Sequence, residues 1–194
     1  MSKVKLLIGL LAWAAVAVLG FWGLARYETR PGCEADPPPD WPDRSRLSRD
    51  PDHPTLLMFL HPHCPCSRAS LEELAVLLPA SSYGLRAFVV FCKPAGAPDG
   101  WEKTALWQQA VGMKGIDVSW DDQDEERRRF GARTSGQVLL FDRRGRLAYS
   151  GGITRARGQA GANPGRSAVE AILRGQTPSS RSGPVFGCPL VDPE

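Results

Sequence analysis

The chain has 194 residues, enough for one domain with its own core plus further segments. Its 24 Lys and Arg against 21 Asp and Glu leave a net charge of only +3, which argues against nucleic acid as a partner. Five cysteines are too few for a disulfide scaffold and odd in number, so at least one thiol lies outside any set of intramolecular pairs.

The first element is an apolar run. Residues 6–25 carry no charge; they follow Lys3 and Lys5 and stop at Arg26. A helix needs about 20 apolar residues to cross a bilayer. Trp13 falls mid-span, and Trp22 falls near the far end, where interfacial aromatics gather. The apolar part of a cleaved signal peptide usually runs only about 7–15 residues before a small-x-small site. This run is longer, and Gly23-Leu24-Ala25 is a poor site. Residues 1–26 are therefore expected to be an uncleaved single-pass anchor. Lys3 and Lys5 favour a cytoplasmic N-terminus, although Arg26 and Arg30 flank the other end. The cysteine usage then puts the remainder outside the cytoplasm, in the periplasm of a bacterium with the anchor in its inner membrane.

Residues 27–54 are rich in Pro, Asp and Arg around Pro37-Pro38-Pro39, and read as an extended tether. Cys33 lies within it, as an incidental thiol or a point of lipidation or intermolecular bridging, with no motif for either of the last two.

A folded domain is expected over residues 55–176. Residues 55–60 form a short apolar strand bounded by prolines. A helix follows, capped by Ser67 or Ser70, with Leu71, Leu74, Val76, Leu77 and Leu78 on its apolar face and Pro79 at its end. Residues 85–91 form a second buried strand, with 92–96 as its exit loop. Residues 101–111 read as a helix packed through Trp101, Ala105 and Leu106. Residues 116–118 give a short strand, and 122–130 a charged helix with Asp124 and Arg128 as an i,i+4 pair. Residues 137–141 and 146–150 make a hairpin around Asp142-Arg143-Arg144-Gly145. A Gly-rich loop spans 151–165, and a last helix over 167–174 stops at Gly175. Residues 177–194 form a tail carrying Cys188. The order implies an α/β fold, a mixed central sheet flanked by helices on both faces.

The densest chemistry is His61-Pro62-His63-Cys64-Pro65-Cys66-Ser67-Arg68, where the first strand ends and the first domain helix begins. Unpaired N–H groups at a helix start favour a thiolate. In a redox reading Cys64 is the exposed nucleophile and Cys66 resolves its mixed disulfide. His63 or Arg68 would add thiolate character, and Pro65 suits a first helical turn. A Cys-X-Cys disulfide closes a small, strained ring, which tends toward oxidising or isomerising chemistry. In a metal reading Cys64 and Cys66, with His61 or His63, hold Cu(I), which prefers soft thiolates. Zinc would need Cys92 or Cys188 as well. Cys92, at the end of the second strand, has three open readings: a structural disulfide with Cys188, a distant resolving thiol, or a buried side chain. Arg155, Arg157 and Arg166, in or beside the Gly-rich loop, are candidates for an anionic group or a substrate groove.

The element order with cysteines at the first strand-to-helix junction resembles the thioredoxin-like superfamily over residues 55–175. As in thioredoxins, a phenylalanine, Phe59, precedes the first cysteine by five positions. The second cysteine, Cys66, comes one position earlier than in Cys-X-X-Cys, and Ser67 takes the usual place. The position of the thioredoxin cis-proline falls on Gly136 of Thr134-Ser135-Gly136-Gln137, so the resemblance implies a substrate-binding role for Thr134, Ser135 and Gly136 beside Cys64. Anchor, Cys-Pro-Cys, Thr-Ser-Gly-Gln, Ser150-Gly151-Gly152-Ile153-Thr154 and the terminal Phe-Gly-Cys-Pro-Leu together resemble a membrane-anchored RedB-like branch. That branch is related to TlpA-type thiol reductases and Sco-type copper chaperones. The resemblance implies periplasmic protein thiols or disulfides as partners. It implies no cofactor in the redox reading and Cu(I) in the other. A distant histidine of the Sco kind is missing, because no histidine follows His63.

Overall fold

The computed structural model describes residues 3–80, 84–94 and 96–190. Contacts divide the chain into two units, residues 1–30 and 31–194. The first is α1 (Lys3–Glu28), a helix long and apolar enough to cross a membrane, with no buried residue.

The second unit is built on β1 (Thr55–Leu60), whose six residues are all buried. A strand sends alternate side chains to opposite faces, so an uninterrupted apolar run belongs at the middle of a sheet covered on both sides. The five strands lie in the order β3-β2-β1-β4-β5. Here β2 is Arg86–Lys93, β3 Asp117–Asp122, β4 Gln137–Phe141 and β5 Leu147–Gly151. β1 runs parallel to β2 (Leu57 opposite Phe88) and antiparallel to β4 (Leu57 opposite Leu139). β3 is parallel to β2, and β5 is antiparallel to β4. Leu56, Met58 and Leu60 face α2 (Ser67–Ala80) and α5 (Pro164–Leu173) through Leu71, Leu74 and Val169. Leu57 and Phe59 face the other core, with Phe88, Val90, Phe130 and Phe141.

Several expected elements differ. α2 runs one residue past Pro79, within the ordinary scatter of helix ends. The helix expected over 101–111 is only α3 (Ala105–Val111): Thr104 caps it, its side chain accepting the Trp107 N–H, which leaves Trp101 in the preceding loop. β3 extends to Asp122 because it stays paired with β2 up to Lys93. A turn with positive φ at Gln123 and Asp124 then leaves α4 as only Glu125–Arg129, its first N–H groups taken by the buried Asp121 carboxylate. α5 starts earlier than expected, at the Asn163-Pro164 cap.

The tether reading is overturned from residue 31 onward. This stretch is strapped to the domain by backbone hydrogen bonds from Gly32 to Val185 O, Asp36 to Gly131 O and Trp41 to Gly145 O. Trp41 packs edge-on against Phe130 and Phe141, and the Ser45 hydroxyl donates to Glu126. The tail is likewise part of the domain. Ser150 N–H donates to Arg181 O, Gly152 N–H to Pro184 O and Leu190 N–H to Arg133 O, so the chain follows β5 and returns to the β1–α2 junction. The tail's last four residues, and Ala95 of the loop after β2, lie outside the described residues.

Candidate active site

The junction folds as the local sequence dictates. The Cys64 N–H donates to His61 O at 3.1 Å and Ser67 N–H donates to Cys64 O at 3.1 Å, so a tight turn delivers both cysteines to the start of α2. Pro65 sits inside that turn and has no N–H to leave unpaired. Cys64 and Cys66 are close enough for their thiols to hydrogen-bond.

The exposure of the pair is the reverse of the expectation. Cys64 is 3% exposed, whereas Cys66 is half-buried and meets solvent. What covers Cys64 is the tail. The Cys188 thiol and backbone N–H both reach its sulfur. Cys188 is held there by its carbonyl, which accepts the Ser135 N–H at 2.8 Å. Gly187 makes this approach possible, since a Cβ there would lie 1.9 Å from Ser135 O.

These contacts set the charge. Burial alone pushes the Cys64 thiol up. Hydrogen bonds from the Cys188 thiol, the Cys188 N–H, the Ser67 hydroxyl and the Cys66 N–H outweigh it and hold Cys64 below the ordinary cysteine value. A polarised chain stands behind the Ser67 hydroxyl. The His61 N–H donates to Ser135 Oγ at 2.8 Å, and Ser135 Oγ lies 2.7 Å from Ser67 Oγ. Cys66 is shifted up by burial, then by the Cys64 charge and the hydrogen bond to it, with Arg157 pulling the other way. Cys188 is pushed up to about 12 by burial first, then by its hydrogen bond to Cys64 and the charges of Cys64 and Cys66; Arg157 again opposes. The Arg157 guanidinium, which also donates to Gly187 O, thus serves both flanking thiols.

Other expected site residues fall into different roles. The His63 ring turns onto Trp101, with Nε2 2.7 Å from Trp101 O and ring centres 4.7 Å apart, rather than onto Cys64. His61 Nδ1 accepts the His63 N–H, and its ring meets Trp101 edge-on at 5.3 Å. Trp101 therefore forms, with the two histidines, an aromatic wall beside the cysteines; in the sequence it read as a core residue. Thr134 and Ser135 are buried braces, with Thr134 Oγ1 donating to Cys33 O at 2.9 Å. Gly136 is closely packed. It has φ +93°, donates its N–H to Phe59 O, and an added Cβ would lie 2.8 Å from Ser70 Oγ, with Val185 of the tail next to it.

Of the three arginines in or beside the Gly-rich loop, Arg157 is the one at the thiols. Arg155 lines a separate cavity of about 280 Å³ with Tyr149, Phe186 and Pro184. Arg166 is bound to Glu73 and Glu170. Glu73, missed in the sequence, is 2% exposed and collects the Gly161 N–H, the Asn163 amide and Arg166, which orders the Gly-rich loop against α2.

Cys92 and Cys188 do not meet, and all five cysteines are free thiols. Cys92 points into the core containing Phe59, where burial raises its thiol well above the ordinary value. Among the described residues, the group whose candidate metal ligands lie within 4.8 Å of one another is Cys92, Asp121 and Asp124. Cys64, Cys66, His61 and His63 do not form such a group. Asp121 already spends its carboxylate oxygens on the N–H groups of α4.

A central β1 flanked by parallel β2 and antiparallel β4, with a thiol pair where β1 passes into α2, defines a thioredoxin-like fold. Solved structures agree on the architecture. The chain is similar to a hypothetical protein from Sinorhizobium meliloti at 23% identity, covering 72% of this chain and 79% of that one with a TM-score of 0.57. It is also similar to an uncharacterized conserved protein from Geobacillus kaustophilus at 20% identity, covering 85% and 94% with a TM-score of 0.59. The exposed lipoprotein thioredoxin Etrx1 of Streptococcus pneumoniae aligns at 15% identity over 64% of this chain and 85% of that one, TM-score 0.47. No family model matches the chain. No curated protein matches it either.

Proposed function

We propose that this protein is a membrane-anchored thiol-disulfide oxidoreductase that acts on protein thiols outside the cytoplasm, with Cys64 and Cys66 as its exchanging pair. The observation that carries the reading is the asymmetry of that pair: the half-buried Cys66 can be reached, and the covered Cys64 is stabilised as a thiolate. Exchange at a disulfide is faster when the departing sulfur is the more acidic one. In the oxidised protein a substrate thiolate attacks Cys66 Sγ. A bond forms between substrate and Cys66, the Cys64–Cys66 bond breaks, and Cys64 leaves as a thiolate among its hydrogen-bond donors. A second substrate thiolate attacks the substrate sulfur of the mixed disulfide and releases Cys66. The substrate dithiol is oxidised to a disulfide, and two electrons and two protons pass to the cysteine pair. The roles of entry and departing sulfur are thereby exchanged relative to the sequence expectation.

Trapping tests this. With Cys64→Ser, the Cys66 thiolate attacks a disulfide-bonded substrate protein, one substrate sulfur leaves as a thiolate, and the mixed disulfide on Cys66 should accumulate because no neighbouring Cys64 releases it. Cys66→Ser should capture far less. Capture by neither variant, with both thiols freely alkylated in oxidised protein, overturns the reading. A Cu(I) site is the second reading, favoured by the third soft sulfur that Cys188 brings against Cys64.

A further inference from the structure

We infer that Cys188 is a third redox thiol of this site, and that the oxidised protein stores its disulfide between Cys64 and Cys188. This rests on the oxidoreductase reading and extends it. Cys64 is the middle member of the three: it hydrogen-bonds both Cys66 and Cys188, while the three sulfurs do not all lie within 4.8 Å of one another. An arrangement open on one side suits displacement at the central sulfur better than a metal, which draws its ligands together. Cys188 reaches this place without any covalent link. Ser135 N–H holds its carbonyl, Arg157 holds the carbonyl of Gly187, and Leu190 N–H donates to Arg133 O.

The step is an isomerisation. Cys188 loses its proton, and its thiolate attacks Cys64 Sγ of the Cys64–Cys66 disulfide. The Cys64–Cys188 bond forms, the Cys64–Cys66 bond breaks, and Cys66 leaves as a thiolate that takes up the proton. No external oxidant or reductant enters. The product replaces the small strained ring of a Cys-X-Cys bond with a long-range bond between the start of α2 and the tail. Reversal regenerates the half-buried Cys64–Cys66 bond for a substrate.

Charge on Cys64 gates the step. Beyond burial, which holds the Cys188 proton most, two causes act in the reduced protein: the hydrogen bond to Cys64 and the Cys64 charge. Both vanish once Cys64 is in a disulfide, and Arg157 remains. Cys188 is therefore a proton donor to reduced Cys64 and becomes a nucleophile only toward oxidised Cys64.

Disulfide mapping on the full chain in detergent tests the inference. Protein is equilibrated in a glutathione redox buffer, acid-quenched, alkylated and digested with trypsin. Cleavage after Arg49, Arg68 and Arg181 leaves Cys64 and Cys66 on one peptide and Cys188 on another. The expected result is a cross-linked pair of these peptides as the major oxidised form, with Cys66 alkylated. Oxidised Cys66→Ser should give the same pair and Cys188→Ser none of it. A bond confined to the Cys64 peptide, with Cys188 alkylated in the wild type and unlinked in Cys66→Ser, overturns the inference and leaves the oxidoreductase reading intact. Complete alkylation of all three thiols under every poise overturns both.

Discussion

Removing the Cys188 side chain should make Cys64 a weaker acid, and the structure says by how much its reactivity should change. Cys64 has four donors that favour its thiolate, and Cys188→Ala deletes one, the thiol, while the Cys188 N–H, the Ser67 hydroxyl and the Cys66 N–H stay. A hydrogen bond to a charged group is worth about 1.5–3 kcal/mol, and the lower end suits a sulfur pair. That lowers the thiolate-to-thiol ratio at neutral pH roughly tenfold. A more basic thiolate is also the better nucleophile, which recovers about threefold, so the net slowing is about threefold.

The assay is the iodoacetamide alkylation rate of Cys64 against pH, in a Cys66→Ser background so that Cys64 alone is scored on its peptide. The midpoint of the profile should move up in Cys188→Ala and stay near that of the background protein in Cys188→Ser, whose hydroxyl still donates. The plateau at high pH should rise in the alanine variant, because part of the cover over Cys64 is gone. Cover and charge thus act on different parts of the same curve. A midpoint that stays put or falls in the alanine variant would refute the claim that the tail stabilises the thiolate.

Gly187→Ala should produce the same upward shift without touching any thiol, since its Cβ would lie 1.9 Å from Ser135 O and must push the tail off Cys64; an unshifted midpoint counts against this. Trp41→Ala should cost about 2 kcal/mol, below the usual core value because the ring is half-buried, and lower the melting midpoint by about 4–8 °C. An unchanged melt would mean that residues 31–54 are a loose tether after all. His61 lies below the ordinary histidine value of 6.5, through burial first and the His63 charge second. The unfolded chain then binds the proton more readily, so stability tied to neutral His61 is present above that value and lost as pH falls through it. His61→Gln should flatten the loss of stability between about pH 7 and pH 5 in urea titrations, and an identical slope would disprove the assignment. If copper is the ligand, anaerobic loading should leave about one Cu(I) per chain that Cys64→Ser abolishes; a stoichiometry unaffected by that variant removes the second reading.

The sheet and the thiol pair were legible in the sequence because their signals are local. β1 is a six-residue apolar run between prolines, and the cysteines follow it directly. The strap and the tail were not legible, for one physical reason. Both are held mainly by backbone hydrogen bonds to loops and strand edges, which any residue can make, and few apolar side chains mark them. Trp41 is one, and Val185 and Leu190 are others. Their Pro and Gly content, which reads as linker, serves close backbone approach instead, as at Gly187. The exposure of Cys64 and Cys66 was misjudged for the same reason: position at a helix start predicts thiolate character, but exposure depends on what the far end of the chain lays over it. Trp101 shows the complementary error. Helical spacing made it a core residue, whereas the Thr104 cap starts α3 later and leaves it packed at a tilt against the His63 ring.

The tail therefore changes what the Cys-Pro-Cys pair can do. Without it, both sulfurs at the start of α2 would meet solvent, and the helix terminus alone would decide which ionises. With it, one sulfur gains two further donors and loses its access, while its neighbour, raised by its own burial and by the Cys64 charge, keeps access. Division of labour between an accessible sulfur and an acidic one follows from where a single Gly-Cys-Pro segment lies, and the same segment supplies the thiol that can take over the bond.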